Sequence, residues 1–235
     1  METAQLDKIT LYNCDCMEYM RRLEDNAFDL AIVDPPYSIN AAKMGMGGTK
    51  DNRRIARKLY KEHSDKGRLN SGSGKLKNRV LNRSAIDWDN AVPPQEYFDE
   101  LFRVSKHQII WGCNYFDLPP TRGIICWDKC QPWENFSQWE MAWTSFDTPA
   151  SLFRFDNRTG DKIHPTQKPT ALYKWLLNKY AKQGWRILDT HIGSGSIAIA
   201  CHDMGYTLVG CEIDKGYFDN MVKRVKTHQA QGVLF

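Results

Sequence analysis

Short apolar runs alternate along the chain with longer amphipathic stretches. The runs are four to seven residues long and rich in β-branched and aromatic residues, which predicts β-strands. In several of them, such as FDLAIV, neighbouring residues are both apolar, so both faces of the strand should be buried as in a parallel sheet. The predicted strands are 9–14, 28–33, 108–112, 123–127, 140–146, 185–188 and 206–212.

The amphipathic stretches predict helices. One of them, KPTALYKWLLNKYA, carries Leu172, Trp175 and Leu176 at helical spacing, with Pro169 in the first turn, where proline is tolerated. Because strands and helices alternate, the sequence predicts an α/β fold with a mostly parallel, doubly wound sheet. The predicted helices are 15–23, 93–104, 168–181, 196–205 and 215–228.

Residues 41–90 show neither pattern and carry a large excess of positive charge. Twelve Lys or Arg stand against three acidic residues between positions 50 and 83, whereas the whole chain has a net charge of +4. A basic segment on an acidic body is typical of a phosphate-binding surface, although a solvated loop is the alternative. We expect an inserted recognition segment that orders on DNA, with contacts from Arg53, Arg54, Arg57, Lys58, Lys75, Lys77 and Arg79.

Composition limits the class of protein. With 235 residues, 42% of them hydrophobic, the chain should form one domain, residues 1–235, rather than two. It lacks an apolar run of the roughly 18 residues that span a bilayer, and its polar start does not resemble a signal peptide, so we expect a cytoplasmic protein without membrane contact. The seven cysteines are expected to be free core thiols, because their spacing does not match a zinc site.

Four polar or glycine-rich motifs come directly after predicted strands. In a parallel sheet the carboxyl ends of the strands share one edge, and ligands bind beyond it. Residues distant in sequence should therefore meet there. The motifs are Asp15, the stretch Asp34-Pro35-Pro36-Tyr37, the glycine loop DTHIGSGS (189–196) and Glu212.

The glycine loop and Glu212 together indicate a nucleotide-like ligand. Glycines at 193 and 195 let the backbone approach a ligand, and a carboxylate 19 residues beyond Gly193 suits the hydroxyls of a ribose. GSGSIA also fits the dinucleotide pattern, so an NAD-dependent oxidoreductase and a plain tight turn remain alternatives.

The stretch DPPY favours a different chemistry. Two prolines make a rigid turn without amide donors, so a carboxylate and a carbonyl can both accept hydrogen bonds from one amino group. Tyr37 can lie flat against the ring that bears this group. The arrangement suits the edge of a nucleobase that has left the duplex stack. The alternative is a turn that ends a strand, with Asp34 as its cap.

DPPY, the glycine loop and the box HPTQKP (164–169), in an order that places DPPY first, resemble the β-class amino-methylating DNA methyltransferases. The resemblance covers most of the chain outside the basic segment. It implies a Rossmann-like methyltransferase fold that uses S-adenosylmethionine (SAM) and acts on double-stranded DNA. In this family an Asp at the first position of the turn usually accompanies transfer to adenine N6, whereas Ser accompanies transfer to cytosine N4.

The resemblance also assigns roles to residues. Asp34, Pro35, Pro36 and Tyr37 would form the catalytic turn that holds the target amine, and proton loss would accompany or follow methyl transfer. Thr190 and His191 stand where the family usually has Pro and Phe, so SAM binding could be altered, unless His191 is a surface residue without a role. The residues assigned to SAM are Asp15, Asp34, His164, Thr166, Lys168, Asp189, Gly193, Ser194, Gly195 and Glu212.

Several alternatives stay open. Methyl acceptors other than adenine include cytosine N4, RNA and a protein glutamine, and an inactive DNA-binding protein with this fold is a further class. The last residues, Gln231 to Phe235, resemble peptides that dock on the DNA sliding clamp, although they could equally pack on their own domain. Assembly as a homodimer and the existence of a cognate restriction enzyme are not decided by the sequence.

Overall fold

The computed structural model describes residues 1–38, 91–131, 137–156 and 166–231, and these form one nine-stranded sheet. The basic segment 41–90 and the seven cations assigned to DNA lie outside the described residues. The strands are β1 (Glu2–Leu6), β2 (Ile9–Asn13), β3 (Phe28–Val33), β4 (Ser105–Trp111), β5 (Ile124–Asp128), β6 (Trp139–Thr144), β7 (Ser151–Arg154), β8 (Arg186–Asp189) and β9 (Thr207–Glu212).

The sheet is mostly parallel, as predicted. Its strand order is β1-β2-β9-β8-β3-β4-β6-β5-β7, and the central run from β2 to β4 is parallel throughout. Strand β6 is antiparallel to both β4 and β5, so it reverses direction within the second half of the sheet. The doubly wound centre therefore continues into a mixed flank.

Helices cover both faces of the sheet. One face carries α3, α4 and α5, and the other carries α1 and α2. In β3 the alternation of side chains is visible, because Leu30 and Ile32 join the first layer while Ala31 and Val33 join the second. The helices are α1 (Cys16–Met20), α2 (Gln95–Val104), α3 (Thr170–Tyr180), α4 (Ser196–Met204) and α5 (Lys215–Ala230).

The structure differs from the predicted elements at the sheet edges. Strands β1 and β7 were not predicted because each lies at an edge, where side chains are largely exposed and the apolar signal is weak. Helix α1 is also shorter than the predicted 15–23, and it ends at Met20. None of the helices in the described ranges is long and apolar enough to cross a bilayer.

The cysteine prediction is only partly confirmed. All seven thiols are free, but only Cys201 and Cys211 are buried, whereas Cys130 is exposed. The other four thiols are partly exposed, and three of them, Cys14, Cys16 and Cys113, lie just beyond the ends of β2 and β4 rather than within a strand. In the described parts of the chain, no three His, Cys, Asp or Glu side chains are grouped so that they could hold a metal ion.

Candidate active site

The four motifs that follow strands lie at one edge of the sheet, as predicted. Strands β2, β9, β8 and β3 are parallel neighbours, and their register sets Asn13 opposite Glu212 and Asp189 opposite Gly210. Asp15 and Asp34 follow the ends of β2 and β3 at the same edge. Residues about 200 positions apart in sequence are thereby brought into one site.

Helix α5 packs against the glycine loop that follows β8. Gly193 and Gly195 both have positive φ, of 51° and 73°, which other residues rarely adopt. A Cβ on Gly195 would also lie 2.6 Å from Cγ of Met221, so this glycine allows contact with a helix. Arg224 of α5 donates to the carbonyl of Ser194 at 2.7 Å. The loop is therefore fixed without a ligand.

Glu212 binds the loop across the strand end. Its Oε2 accepts the Gly193 N–H at 3.0 Å and its Oε1 accepts the Asp214 N–H at 2.9 Å. Burial raises the pKa of Glu212 to about 7, against the effect of these hydrogen bonds. A carboxylate has about four acceptor positions, so Glu212 can still accept from a ribose. Ser194, by contrast, is buried, and its hydroxyl lies 3.2 Å from that of Ser196.

Asp189 is the more deeply buried carboxyl of this side. Its Oδ1 accepts the backbone N–H of His191 at 3.0 Å. Burial raises its pKa to about 8, and the nearby charges of Asp34 and Glu212 act in the same direction. Asp15 is exposed and caps helix α1 by accepting the Met17 N–H at 2.7 Å.

Thr190 and His191, which depart from the family pattern, form a hydrogen-bonded chain with helix α2. The Tyr97 hydroxyl lies 2.6 Å from Thr190 Oγ1, which lies 2.9 Å from His191 Nδ1. The rings of Tyr97 and His191 meet edge to face at 5.4 Å. Burial lowers the pKa of His191 to about 4, so the ring is neutral near pH 7. His191 is partly buried and contacts Thr190 and Tyr97, so it is not an exposed surface residue. Its effect on SAM binding stays a prediction.

The DPPY turn places a carboxylate beside an aromatic wall. The Tyr37 hydroxyl donates to Asp34 Oδ1, and the Tyr37 ring stacks on Tyr115 with centroids 5.0 Å apart and planes inclined by 12°. Gly112 has a φ of 73°, and a Cβ there would lie 2.1 Å from Cε1 of Tyr37. The ring can take this position only because residue 112 is glycine.

A buried lysine completes this side of the site. Lys168 is 3% exposed, and its Nζ forms ion pairs with Asp34 Oδ2 and, at 3.1 Å, with Glu140 Oε2. Glu140 Oε1 pairs in turn with Lys129. Burial raises the pKa of Asp34, while the charge of Lys168 opposes this shift. Burial also disfavours ionised Glu140, but the two lysines lower its pKa to about 2.

Some of the predicted site residues are placed differently or lie outside the described residues. Thr166 is exposed and His164 lies outside the described ranges, as do the cations between Arg53 and Arg79. Lys168 contacts the turn that carries Asp34, which the resemblance did not indicate.

The structure also adds site residues that the sequence did not suggest. Glu140 and Lys129 are brought together by the antiparallel pairing of β5 with β6. Tyr115 lies in a short 3-10 helix, Cys113–Tyr115, after β4. Gly112, the last residue of a predicted strand, was the one sequence signal for the turn that carries Tyr115. Two tryptophans of β6 differ in exposure, since Trp143 is buried and Trp139 is 52% exposed.

The arrangement suits a cationic ligand on one side and an amine on the other. Asp189 and Glu212 accept only backbone N–H groups in the hydrogen bonds of the described residues, and neither forms an ion pair there. Two buried carboxyls without a cation favour a positively charged ligand that carries hydroxyl groups. On the other side, Asp34 and the Tyr37 ring offer an acceptor and a stacking surface to a planar amine.

Comparison with known proteins points to one family. The sequence profile of a family described as DNA methylase matches residues 111–223, slightly less than half of the chain. The Type II methyltransferase M2.DpnII of Streptococcus pneumoniae is 22% identical over 252 residues, which cover 94% of this chain and 90% of that protein.

Solved structures share the fold. TTHA0409, a putative DNA modification methylase of Thermus thermophilus solved with S-adenosyl-L-methionine, superposes with a TM-score of 0.52 and 14% identity, covering 93% of each chain. The cytosine-N4-specific PvuII DNA methyltransferase superposes with a TM-score of 0.53 and 10% identity, covering 95% of this chain and 92% of that one. The Rossmann-like methyltransferase fold implied by the sequence motifs is thus confirmed.

Proposed function

We propose that this chain is a member of the DNA methylase family whose profile it matches, and that it transfers a methyl group from SAM to the N6 amine of an adenine in double-stranded DNA. The observation that carries the proposal is the fixed Asp34 carboxylate beside the stacked Tyr37 ring, at the sheet edge that also holds Asp189 and Glu212.

Asp34 and the Pro35 carbonyl activate the amine. The lone pair of an adenine amine is delocalised into the ring, which makes the nitrogen a poor nucleophile. Two acceptors that bind both N–H groups draw the nitrogen towards tetrahedral geometry and localise the pair. The rate then depends on positioning and hydrogen bonding, without a covalent enzyme intermediate.

The target base stacks on aromatic rings. Tyr37 lies against Gly112 and is covered by Tyr115, whose side chain is exposed. A base that leaves the duplex replaces its lost stacking with contact to such a wall. Because the Tyr37 hydroxyl and Lys168 already bind Asp34, the amine shares the remaining acceptor positions of that carboxylate.

The acidic side of the edge holds the methyl donor. SAM, when bound, supplies an electrophilic methyl group on a positively charged sulfur. Asp189 and the glycine loop bind its amino-acid end, Glu212 its ribose, and Asp15 its adenine. These carboxyls lack a cation among their described partners, which fits a ligand that brings its own positive charge.

Adenine is the favoured target because Asp34 begins the turn, whereas cytosine N4 enzymes of this class usually have Ser. NAD-dependent redox chemistry would leave the DPPY turn and its lysine without a role. The neighbouring structures include a cytosine-N4-specific enzyme, so the product must be identified directly.

Contacts to DNA outside the pocket are assigned to the basic segment 41–90, because its cations can neutralise phosphates. Docking of Gln231 to Phe235 on a sliding clamp, assembly as a homodimer and a cytoplasmic location remain predictions. The similarity to a Type II methyltransferase supports a role in DNA modification.

The test is nucleoside mass spectrometry of duplex DNA of mixed sequence after incubation with the protein and SAM. We expect N6-methyladenine from the wild-type protein and a loss of at least about a hundredfold in rate for Asp34→Ala. Detection of N4-methylcytosine instead would show that the target base is cytosine, while the proposed mechanism of amine activation would stand.

Two results would contradict the proposal. One is wild-type protein that binds SAM and DNA but yields no methylated nucleoside. The other is an Asp34→Ala variant that retains the full rate. Asp203→Asn serves as a control, because Asp203 lies near the end of helix α4, which starts at the site and leads away from it.

A further inference from the structure

Four charged side chains form an alternating line that starts at the DPPY turn. Asp34 pairs with Lys168, Lys168 pairs with Glu140, and Glu140 pairs with Lys129. All four side chains are at most 24% exposed, and that of Lys168 is 2% exposed. Asp34 has a proposed role in catalysis and the sequence resemblance assigns Lys168 to SAM, whereas Glu140 and Lys129 have no role so far.

The line joins four different parts of the fold. Asp34 follows β3, Lys129 follows β5, Glu140 lies in β6 and Lys168 precedes α3. Strands β5 and β6 are antiparallel, with Trp127 opposite Glu140, which brings Lys129 close to Glu140. The mixed flank of the sheet therefore supplies two charges to a site built on the parallel centre.

Lys168 is fixed from several directions. Its Nζ lies 3.4 Å from the Tyr37 hydroxyl and 5.2 Å from the centre of the Trp111 ring, in addition to its two carboxylates. A buried ammonium group is costly unless carboxylates pair with it. Glu140 is held by both of its oxygens, one on each lysine. It therefore determines where the Lys168 ammonium can lie.

We propose that Glu140 is a positioning residue for methyl transfer, which holds Lys168 against Asp34 and balances the charge of that lysine. The inference rests on the proposed function, since it concerns the same reaction at the same turn. Lys129 anchors Glu140 from the other side.

The charge balance follows from the reaction. The amine nitrogen becomes positively charged as it attacks the methyl group of SAM. The C–S bond breaks, S-adenosylhomocysteine leaves as a neutral thioether, and the nitrogen then loses one N–H proton. An ammonium group beside Asp34 disfavours that charge unless a second carboxylate compensates for it. With Glu140 present, the Lys168 charge is neutralised and the Asp34 carboxylate remains available to the nitrogen. Without Glu140, Lys168 would keep only Asp34 as an ion-pair partner, and Lys129 would lose its own.

The experiment compares Glu140→Gln, Lys168→Gln and the double variant with wild-type protein. The rate of methyl transfer is measured in a single turnover at saturating SAM and DNA, and the Kd of each ligand is measured separately. We expect Glu140→Gln to lower the rate by about tenfold to a hundredfold while both Kd values change by less than about threefold. Because Glu140 acts through Lys168, the double variant should be no slower than Lys168→Gln alone.

The controls separate positioning from folding. Asp203→Asn removes another carboxylate shared by two cations, since Asp203 pairs with Lys174 at 2.7 Å and with His228 at 2.6 Å. It should leave the rate unchanged. If Glu140→Gln does not fold, Lys129→Gln tests the same idea, and a reduction of several-fold in rate is expected.

Each outcome is decisive. A Glu140→Gln variant with the wild-type rate, or losses that multiply in the double variant, would overturn the inference while leaving the proposed function intact. A wild-type protein that binds both ligands without transferring a methyl group would overturn the proposed function and the inference with it.

Discussion

Two pairs of carboxyls at the same sheet edge are stabilised in different ways. Asp34 and Glu140 share the buried Lys168, and Glu140 also pairs with Lys129. Asp189 and Glu212 accept backbone N–H groups and form no ion pair with the described residues. The pKa of Glu140 is lowered to about 2, while burial raises that of Asp189 to about 8 and that of Glu212 to about 7.

The difference indicates where each side obtains its positive charge. On the amine side the cation belongs to the protein, so the geometry is set before any ligand binds. On the proposed cofactor side no described cation pairs with the carboxyls, so the free protein buries them at a cost that a cationic ligand would offset. Removing the buried lysine on the amine side should therefore lower the stability of the free protein, whereas removing a carboxylate on the other side should raise it.

The largest effect is expected from Lys168→Met. This change leaves Asp34 and Glu140 buried with one fewer cation, which should lower the free energy of unfolding by about 3–5 kcal/mol. Urea unfolding at pH 7 measures the loss. Because the folded-state pKa of Glu140 is depressed, its contribution in the wild type is present above about pH 4.5 and is lost as the pH falls towards about 2.

The matched change is Lys174→Met, which removes a half-exposed partner of Asp203. An exposed ion pair contributes about 1 kcal/mol or less, so this variant should unfold close to wild type. Equal losses for the two lysine variants would remove the contrast between buried and surface pairs.

Tyr115→Ala is expected to have the next largest effect. A stacked ring contributes about 1–3 kcal/mol per base in single-strand recognition, so capture of the target base should weaken by roughly tenfold or more. Fluorescence of 2-aminopurine at the target position reports the flipped base, and Tyr115→Phe should restore it. A Tyr115→Ala variant that flips the base normally would exclude stacking by this ring.

Asp189→Asn should stabilise the free protein and weaken SAM binding. The amide keeps the acceptor for the His191 N–H but removes a buried charge, which should raise the free energy of unfolding by at least about 1 kcal/mol at pH 9. Thermal unfolding with and without SAM measures both effects. A variant less stable than wild type without SAM would show that the ionised carboxylate supports the fold.

The smallest expected effect is the release of a proton when SAM binds. The raised pKa values of Asp189 and Glu212 favour their protonated forms, so these groups stabilise the free fold less as the pH rises from about 4 through 8. A cationic ligand favours the ionised forms, so SAM affinity should rise with pH between 6 and 8. Calorimetry in two buffers at pH 7 should show release of about one proton. Proton uptake, or no pH dependence, would contradict this assignment.

Much of the fold could be predicted because burial leaves a direct trace in the sequence. The runs that became β3 and β8 are apolar on both faces, and they lie in the parallel centre. Edge strands β1 and β7 carry no such trace, since their exposed residues are free to be polar.

The site residues also divide into those that could be predicted from the sequence and those that could not. Asp34, Asp189 and Glu212 could be placed together because each follows or ends a predicted strand of one parallel sheet. Glu140 and Lys129 could not, because their meeting depends on β6 being antiparallel to β5, and local sequence does not fix which strands pair. Site residues that meet through such a strand pairing can be identified only from the structure.

The line of charges from Asp34 to Lys129 also bears on how the protein acquires its activity during folding. Its members stand at positions 34, 129, 140 and 168, so the chain must close long loops before they meet. Contacts of such high sequence separation are expected to form after the rate-limiting step, with φ-values near zero. A nascent or partly folded chain thus lacks the ordered charges, and competence for methyl transfer arises only with completion of the native state.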